Sequence, residues 1–363
     1  MSSRLYRAIA PFALVASLAV VAAGCGSDDD SDTGTAASTA AAAETGASTT
    51  ASTTEAAPEG EAIKVGLVTD IGGLNDRSFN QLANEGMERA EKELGVDGRV
   101  LTSKSDADYV PNLTSLCQQK YDLIIGVGFL MAEAVEKVAD KCPDAKFAII
   151  DSAQADMKSQ PQNVEGLLFK EQEAGYLAGI IAANYAKDNG IKAVSSVGGQ
   201  KIPPVDRYIA GYQAAVKAVD PNIKTLNGYS QDFVDQSKCK ELALNQINAG
   251  SGVVFQVAGQ CGLGALDAAK EQGKLGIGVD ADQAYLGDHI LTSAQKKVDV
   301  AVFDTVKQVQ GGQFTAGDTT FDLKTDGVGL GKLNAEGEKY QAEADKAKQG
   351  IIDGSITVPD TVK

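Results

Sequence analysis

The chain has 363 residues, 43% of them hydrophobic, and a formal net charge of −16 at pH 7. This length exceeds one ordinary domain and is sufficient for two hydrophobic cores. A uniformly acidic chain is poorly suited to hold phosphate backbones, so the composition argues against nucleic acid as a partner.

Residues 1–25 have the pattern of a secretory signal peptide. Two arginines are followed by an apolar stretch, residues 9–23, that is short for a membrane span. The stretch ends in VAAGC, which resembles the lipobox of bacterial lipoproteins, with Ala22 in place of the more usual Leu. We therefore expect Cys25 to be lipidated and to begin the mature protein. The alternative is cleavage at an Ala-x-Ala-like site, which leaves Cys25 unmodified or removes it.

Residues 26–61 consist mainly of Ser, Thr, Ala, Gly, Asp and Glu, without an aromatic residue. Such a segment cannot bury enough apolar surface to offset the entropy of ordering, so we expect a disordered tether. The tether would hold a globular part at the outer face of the bacterial cell membrane through the lipid, not through a spanning helix.

From residue 63 onward predicted strands and helices alternate, which indicates parallel sheets covered on both faces. The predicted elements of the first half are strand 64–69, helix 78–94, strand 100–103, helix 112–119, strand 123–127, helix 131–141, strands 147–150 and 164–169, and helix 171–185.

The pattern then restarts without repeating the sequence, which indicates two similar lobes and not a tandem repeat. The second half has strand 192–197, helix 205–219, strand 224–229, helix 236–248, strand 253–257, helix 263–272 and strand 276–279. The remainder is less regular, with an extended segment 290–295, helix 300–310, a Gly- and Asp-rich stretch, helix 333–349 and an extended tail 351–358.

Two doubly wound parallel-sheet lobes in one exported chain define a cleft, as in the type I periplasmic-binding-protein fold, which closes by hinge motion. We expect an α/β protein whose lobes are joined by a three-segment hinge. Lobe 1 is predicted to comprise 62–188 and about 290–317, and lobe 2 to comprise 189–289 and part of 318–363. The predicted crossings lie near residues 188, 290 and 317.

Three aspartates end or directly follow buried strands: Asp70, Asp151 and Asp280. Three glycines hold equivalent positions: Gly128, Gly198 and Gly259. The carboxyl ends of parallel strands meet at one edge of a sheet, so these residues should open onto one cleft. A single such Asp is more often a helix cap or turn former. Three of them, together with the ring of Phe79, indicate a ligand site.

Four cysteines follow the tether, an even number in an exported chain, and three pairings are possible. Cys117 and Cys142 precede strands, at the amino edge of one sheet, whereas Cys239 and Cys261 follow strands, at a carboxyl edge. This placement predicts the pairs Cys117–Cys142 and Cys239–Cys261; the alternative is that all four are small core residues with free thiols. Without CxxC spacing and with a single histidine, a zinc site is not expected.

The segment KVGLVTDIGGLNDRSFNQ, residues 64–81, resembles the opening motif of the basic membrane protein family, the PnrA-like nucleoside-binding lipoproteins of ABC transporters. Further segments resemble landmarks of that family in its order: YDLIIGVGF (121–129), CPDAKFAIID (142–151), FKEQEAGYLAG (169–179), SVGGQKIPPVDRYIAGY (196–212), FQVAGQCGLG (255–264), IGVDADQ (277–283) and LTSAQKKVDVAVFD (291–304). The resemblance covers roughly residues 64–310.

The resemblance implies a site for a purine nucleoside. Phe79 would stack on the base, while Asp70 and Asn80 would hydrogen-bond its polar edge. Tyr208, where the family more often has Phe, would supply the second stacking ring.

The resemblance also implies contacts to the ribose. Asp280 would accept hydrogen bonds from two adjacent hydroxyl groups. Lys296 would donate to ribose oxygens and offset the buried negative charge, with Lys297 as the alternative assignment. Gly259 would let the backbone approach the sugar, and Asp151 would be a further polar contact.

The implied function is that of a monomeric substrate-binding lipoprotein, without cofactor or metal, that delivers purine nucleosides to the permease of an ABC importer. Two alternatives stay open: a lipid-anchored binder of a sugar or other small ligand that serves a sensor, and a nucleoside hydrolase that uses the cleft carboxylates. The chain has no GxGxxG, GxxxxGK[ST] or GxSxG motif and no histidine near a candidate nucleophile. We therefore expect a binding protein and not an enzyme.

Overall fold

The computed structural model describes residues 62–362. The predicted signal peptide, the predicted tether and the predicted lipidation site Cys25 lie outside the described residues. Among those described, no helix combines the length and the apolar character that crossing a membrane requires.

The first sheet has six strands, all parallel, in the order β11-β5-β4-β3-β1-β2. Its inner strands are short apolar runs buried on both faces, as parallel sheets require. Numbered along the chain, its strands are β1 (Lys64–Val68), β2 (Asp97–Leu101), β3 (Leu123–Gly126), β4 (Lys146–Ile150), β5 (Val164–Phe169) and β11 (Gly317–Phe321).

The second sheet also has six strands, in the order β12-β10-β9-β8-β6-β7, and repeats the doubly wound arrangement. Its pairings are parallel except that β12 runs antiparallel to β10. The strands are β6 (Ala193–Gly198), β7 (Lys224–Tyr229), β8 (Ser251–Val257), β9 (Leu275–Asp280), β10 (Ile290–Lys296) and β12 (Val328–Leu330).

Helices cover both sheets. Those of the first lobe are α1 (Phe79–Leu94), α2 (Tyr109–Gln118), α3 (Ala132–Ala139) and α8 (Val298–Gln310). Those of the second lobe are α4 (Glu171–Asp188), α5 (Pro203–Val219), α6 (Gln236–Asn248), α7 (Gly259–Glu271) and α9 (Gln341–Ile352). Helix α8 packs on α1, whereas α4 packs between α5 and α9 and against β10. The predicted fold class, two parallel-sheet α/β lobes, is confirmed.

The predicted lobe boundaries are wrong at three places. Helix α4 and strand β10 both belong to the second lobe, although the sequence prediction assigned 171–188 and 290–296 to the first. The chain therefore crosses between the lobes near Lys170, Lys297 and Asp322, not near residues 188, 290 and 317. The physical reason is that an apolar run reports burial but not the sheet against which it is buried.

Two strands were also missed in the Gly- and Asp-rich stretch. Strands β11 and β12 are short edge strands with several polar residues, so their alternation is weak. The polar helix predicted at 333–349 is instead a single 3₁₀ turn, Gly337–Tyr340, followed by α9, which extends to Ile352.

Two disulfides join the pairs expected from their positions at the sheet edges. Cys117 and Cys142, with Cα atoms 6.4 Å apart, link the end of α2 to the segment before β4. Cys239 and Cys261, with Cα atoms 5.5 Å apart, link α6 to α7 at the carboxyl edge of the second sheet.

Replacing Cys117 and Cys142 together by alanine should lower the free energy of unfolding by about 3 kcal/mol. The 25-residue separation that this bridge closes would no longer restrict the unfolded chain. Urea denaturation followed by circular dichroism measures the change. The matched variant lacks Cys239 and Cys261, whose separation is 22 residues, and should lose a similar amount. Unchanged midpoints in both variants would contradict the prediction.

Candidate functional site

A cavity lies between the two lobes, at the carboxyl edges of both sheets. All the ligand contacts expected from the sequence line this one cavity: Asp70, Phe79, Asn80, Asp151, Tyr208, Gly259, Asp280 and Lys296. Lys297, the alternative to Lys296, does not line it; it precedes α8.

Asp76 organises the loop between β1 and α1. Its carboxylate accepts hydrogen bonds from the backbone N–H groups of Ser78, Asn80 and Gln81, at 2.8 to 3.1 Å. N–H groups at the start of a helix have no acceptor within the helix, so the Asp76 carboxylate supplies one. The helix dipole also favours a negative charge at this position. Asp76 was not among the predicted site residues, although an Asp just before a helix is a recognisable capping signal.

The side chain of Asn80 is held by the same loop and is 2% exposed. Its Oδ1 accepts from the backbone N–H of Asp70 at 2.8 Å, and its Nδ2 donates to Asp76 at 3.0 Å. These two partners determine the orientation of the Asn80 amide. The Asp70 N–H requires an acceptor, the amide oxygen, and the Asp76 carboxylate requires a donor, the amide nitrogen. Asn80 therefore has at most one N–H to offer to a ligand.

Asp70 presents one carboxylate oxygen to the cavity. Its Oδ1 accepts from the Tyr109 hydroxyl and from the Ile71 N–H. Its Oδ2 lies beside Gly128, where a Cβ atom would be 2.5 Å away and where φ is +108°, so only glycine suits this position. Burial raises the pKa of Asp70 to about 6, although the hydrogen bonds from Tyr109 and Ile71 oppose the shift.

The other two strand-end aspartates lie in left-handed backbone conformations. Asp151, after β4, has φ of 73°, and Asp280, at the end of β9, has φ of 59°. Few residues other than glycine adopt this region, and Asp tolerates it better than most. Both carboxylates are buried in the cavity wall. Strained backbone of this kind is common at binding sites.

Lys296, at the end of β10, is a buried ammonium group between the lobes, and only 2% of the residue is exposed. Its Nζ donates to Asp151 of the first lobe and to Glu171 of the second, the latter at 2.9 Å. The same nitrogen lies 5.0 Å from the ring centre of Phe79 and 4.9 Å from that of Phe169. Carboxylates and aromatic faces together replace the water that the charge has lost.

Neighbouring charges favour the ionised forms of Lys296 and Glu171, whereas burial raises the pKa of Asp151 to about 6 in spite of Lys296. Burial alone would lower the pKa of Lys296, but the carboxylates of Asp151, Glu171 and Asp280 raise it above its usual value. Burial alone would raise the pKa of Glu171, but Lys296 and Arg207 hold it below its usual value. Arg207 donates to Glu171 at 2.5 Å. Glu171 and Arg207 were not among the predicted site residues, because an acidic residue at a helix start ordinarily indicates only a favourable helix-dipole contact.

Asp280 connects the two lobes. Its Oδ2 accepts from the Ser78 hydroxyl of the first lobe at 2.7 Å, and its Oδ1 accepts from the Tyr208 hydroxyl at 3.1 Å. A second bridge runs from Gln283 Nε2 to the carbonyl oxygen of Arg77 at 3.1 Å. The structure therefore has the two lobes in direct contact across the cleft.

The aromatic rings of the cavity differ in how they are held. Tyr208 is 2% exposed, and its ring packs edge-on against Phe255. Phe233, in the loop after β7, and Phe129, after β3, are half-buried and also line the cavity. Neither ring was among the predicted site residues, although each follows the carboxyl end of a strand. Gly259 lies next to Phe233 and has φ of +54°.

The charges of the cavity wall restrict the ligand. The charged groups that line the cavity are four carboxylates and one ammonium group, that of Lys296. The carboxylates are those of Asp70, Asp76, Asp151 and Asp280. Within residues 62–362, no group of three or more His, Cys, Asp or Glu side chains is placed to hold a metal ion. The wall therefore favours a ligand without negative charge.

A cavity between two parallel-sheet α/β lobes, joined by three crossings of the chain, defines a two-lobed solute-binding protein. Residues 63–362 match the family described as ABC transporter substrate-binding protein, PnrA-like. The chain belongs to this family, as its motifs predicted. Members of the family are substrate-binding proteins of ABC transporters and not enzymes.

Relatives and solved structures agree with this assignment. The chain is 38% identical over 320 residues to the ABC transporter nucleoside-binding protein BmpA of Lactococcus lactis subsp. cremoris, covering 82% of this chain and 89% of that protein. It is 38% identical over 318 residues to an uncharacterized lipoprotein of Pyrococcus abyssi, covering 84% and 78%. A crystal structure of an ABC transporter solute-binding protein from Aeropyrum pernix K1 has a TM-score of 0.75 and 32% identity, covering 83% and 94%.

The raised pKa of Asp70 should make part of the stability pH-dependent. The carboxyl has a pKa of about 6 in the folded protein against an ordinary 3.8, so the folded state binds the extra proton between these values. Its contribution is therefore complete below about pH 4 and is lost as the pH rises through about 6. Relative to Asp70→Asn, the wild type should lose about 3 kcal/mol of stability over this interval.

Urea denaturation of ligand-free wild type and Asp70→Asn from about pH 4 to about pH 7 measures this difference. The comparison isolates Asp70, because the other titrating groups are common to both proteins. A difference between the two proteins that stays constant with pH would contradict the prediction.

Proposed function

We propose that this protein is the substrate-binding lipoprotein of an ABC importer and captures purine nucleosides in the cavity between its lobes. One observation carries the proposal: the side chains that the family resemblance assigns to base and ribose, from both lobes, line a single cavity. The name of the Lactococcus relative, a nucleoside-binding protein, supports the same ligand class.

We assign the two stacking rings to Phe79 of the first lobe and Phe233 of the second. Both are half-buried and line the cavity. Base stacking on an aromatic side chain contributes about 1 to 3 kcal/mol and tolerates every base. Tyr208 is nearly fully buried and its hydroxyl is bonded to Asp280, which favours a supporting role for it over stacking.

The polar groups then divide between base and sugar. Asp70 and Asn80 face the base edge with one acceptor and one donor. Asp280, steadied by protein hydroxyl groups on both oxygens, accepts from the vicinal ribose hydroxyls through its remaining lone pairs. Lys296 has three N–H donors and uses two on carboxylates, so one is left for a ribose oxygen. Asp151 and the backbone at Gly259 complete the sugar side.

The cavity charge supports nucleosides over nucleotides. A phosphate group would bring two negative charges towards a wall that already has four carboxylates and one ammonium group. In a water-poor cleft such repulsion is weakly screened. The proposed ligand is therefore the unphosphorylated nucleoside.

We infer that the protein acts at the outer face of the cell membrane. The VAAGC sequence supports lipidation of Cys25, and residues 26–61 have the composition of a flexible tether. Relatives from Pyrococcus are named lipoproteins. We propose that the protein is a monomer there, requires no cofactor, and passes its ligand to the permease subunits.

Ligand identity can be tested directly. Native mass spectrometry of the protein purified from cells should detect a retained purine nucleoside. Calorimetry after ligand removal should then show binding of inosine, guanosine and adenosine, with guanosine monophosphate at least about 100-fold weaker because of the acidic wall. Absence of binding by any nucleoside at millimolar concentration would overturn the ligand assignment. Release of free base during incubation would overturn the binding-only function.

The stacking assignment predicts the effect of removing either ring. Phe79→Ala and Phe233→Ala should each weaken inosine and adenosine by similar factors, about 5- to 150-fold, because stacking does not depend on the base. Phe314→Ala is the matched control, since Phe314 is also partly buried but does not line the cavity. Wild-type affinity in Phe233→Ala would show that the second ring lies elsewhere.

A further inference from the structure

The hydroxyl of Tyr109 touches the cavity wall from behind. Tyr109 is the first residue of α2, is 2% exposed and does not line the cavity. It donates to Oδ1 of Asp70. We propose that Tyr109 is a specificity-determining positioning residue: by occupying Oδ1 it leaves Oδ2 as the acceptor that selects purine nucleosides with an N–H donor on the pyrimidine edge of the base. This inference rests on the proposed function.

The two oxygens of Asp70 have different surroundings. Oδ1 accepts from Tyr109 and from the Ile71 N–H at 2.7 Å. No donor among the described residues reaches Oδ2, which lies at the gap left by Gly128 and faces the cavity. A base without an N–H there would leave a buried carboxylate oxygen without a partner. Sites of this kind discriminate strongly against ligands that lack the donor.

Asn80 completes the selection. Its Oδ1 accepts from the Asp70 N–H, and its Nδ2 donates to Asp76 at 3.0 Å and only weakly to the Ile71 carbonyl oxygen, at 3.5 Å, so Asn80 can turn this second N–H towards the ligand. The wall thus offers one acceptor and one donor side by side. Inosine and guanosine match it with N1–H and O6, and adenosine matches it with its 6-amino group and a ring nitrogen. Purine riboside, which has no N–H on this edge, does not match.

The same hydroxyl sets the protonation of Asp70. Burial raises the pKa of Asp70 to about 6, the hydrogen bonds from Tyr109 and Ile71 lower it, and the neighbouring Asp76 carboxylate raises it. On the α2 side, Asp106 is the charged group near Tyr109, and the loop after β3 contributes Gly128, which has no charge. Without the hydroxyl the pKa of Asp70 would rise further, and the protonated carboxyl would offer a donor instead of an acceptor.

The test measures inosine and purine riboside affinities by calorimetry across pH in wild type and Tyr109→Phe. Wild type should prefer inosine by at least about tenfold. In the variant, inosine should bind about tenfold more weakly at neutral pH, while purine riboside changes little. The pH below which inosine binding weakens should rise by about one unit. A purely structural role for Tyr109 would weaken both ligands equally and leave the pH profile in place.

Two further variants make the test decisive. Tyr212→Phe removes a buried hydroxyl that has no partner among the described residues. It should leave unchanged both the ratio of inosine to purine riboside affinity and the pH profile of binding. Replacing Tyr109 by 3-fluorotyrosine keeps the ring and the hydroxyl but makes the hydroxyl a stronger hydrogen-bond donor. The pH below which inosine binding weakens should therefore fall. This variant retains the shape of the side chain and so provides the test even if Tyr109→Phe does not fold.

The outcomes separate the two proposals. If wild type binds no nucleoside, the proposed function and the role of Tyr109 both fall. If wild type binds inosine but both Tyr109 variants keep its selectivity and pH profile, the role of Tyr109 is overturned while the proposed function stands.

Discussion

The buried ammonium group of Lys296 is the interaction on which the rest of the site depends. A charge removed from water must be paired, or it destabilises the folded protein by several kcal/mol. The partners come from both lobes, since Asp151 follows β4 in the first lobe and Glu171 begins α4 in the second. Arg207 compensates the second carboxylate in turn. One paired charge therefore links the lobes at the bottom of the cleft and determines the electrostatics of its wall.

The need to pair buried polar groups also organises the rest of the cavity wall. Ser78 and Tyr208 each donate to Asp280, and Asp76 collects the free N–H groups at the start of α1. Phe233 is held by a hydrogen bond from the Cys261 N–H to its carbonyl oxygen, next to the disulfide that joins α6 and α7. Protein hydrogen bonds therefore hold the polar side chains of the wall in place. A small number of polar groups in defined positions is what gives a binding site its selectivity.

Much of the site was accessible from the sequence because strand ends are easy to recognise. Asp70, Asp151 and Asp280 each follow an apolar run, and parallel topology alone brings such positions to one edge. The supporting residues were not accessible in this way. Tyr109, Glu171 and Arg207 lie on helices, where a polar side chain in an amphipathic pattern has no feature that marks it as paired with a distant carboxylate.

The sequence by itself determined the alternation of strands and helices, the two-lobed class, the cysteine pairs expected at the sheet edges and the family. These properties follow from local periodicity and from which end of a strand a residue occupies. Only the tertiary structure decided that α4 and β10 belong to the second lobe, that Phe233 lines the cavity, and that Tyr109 contacts Asp70 from behind the cavity wall. The physical reason is that burial is encoded locally, whereas the partner that a buried group meets depends on contacts between residues far apart in the chain.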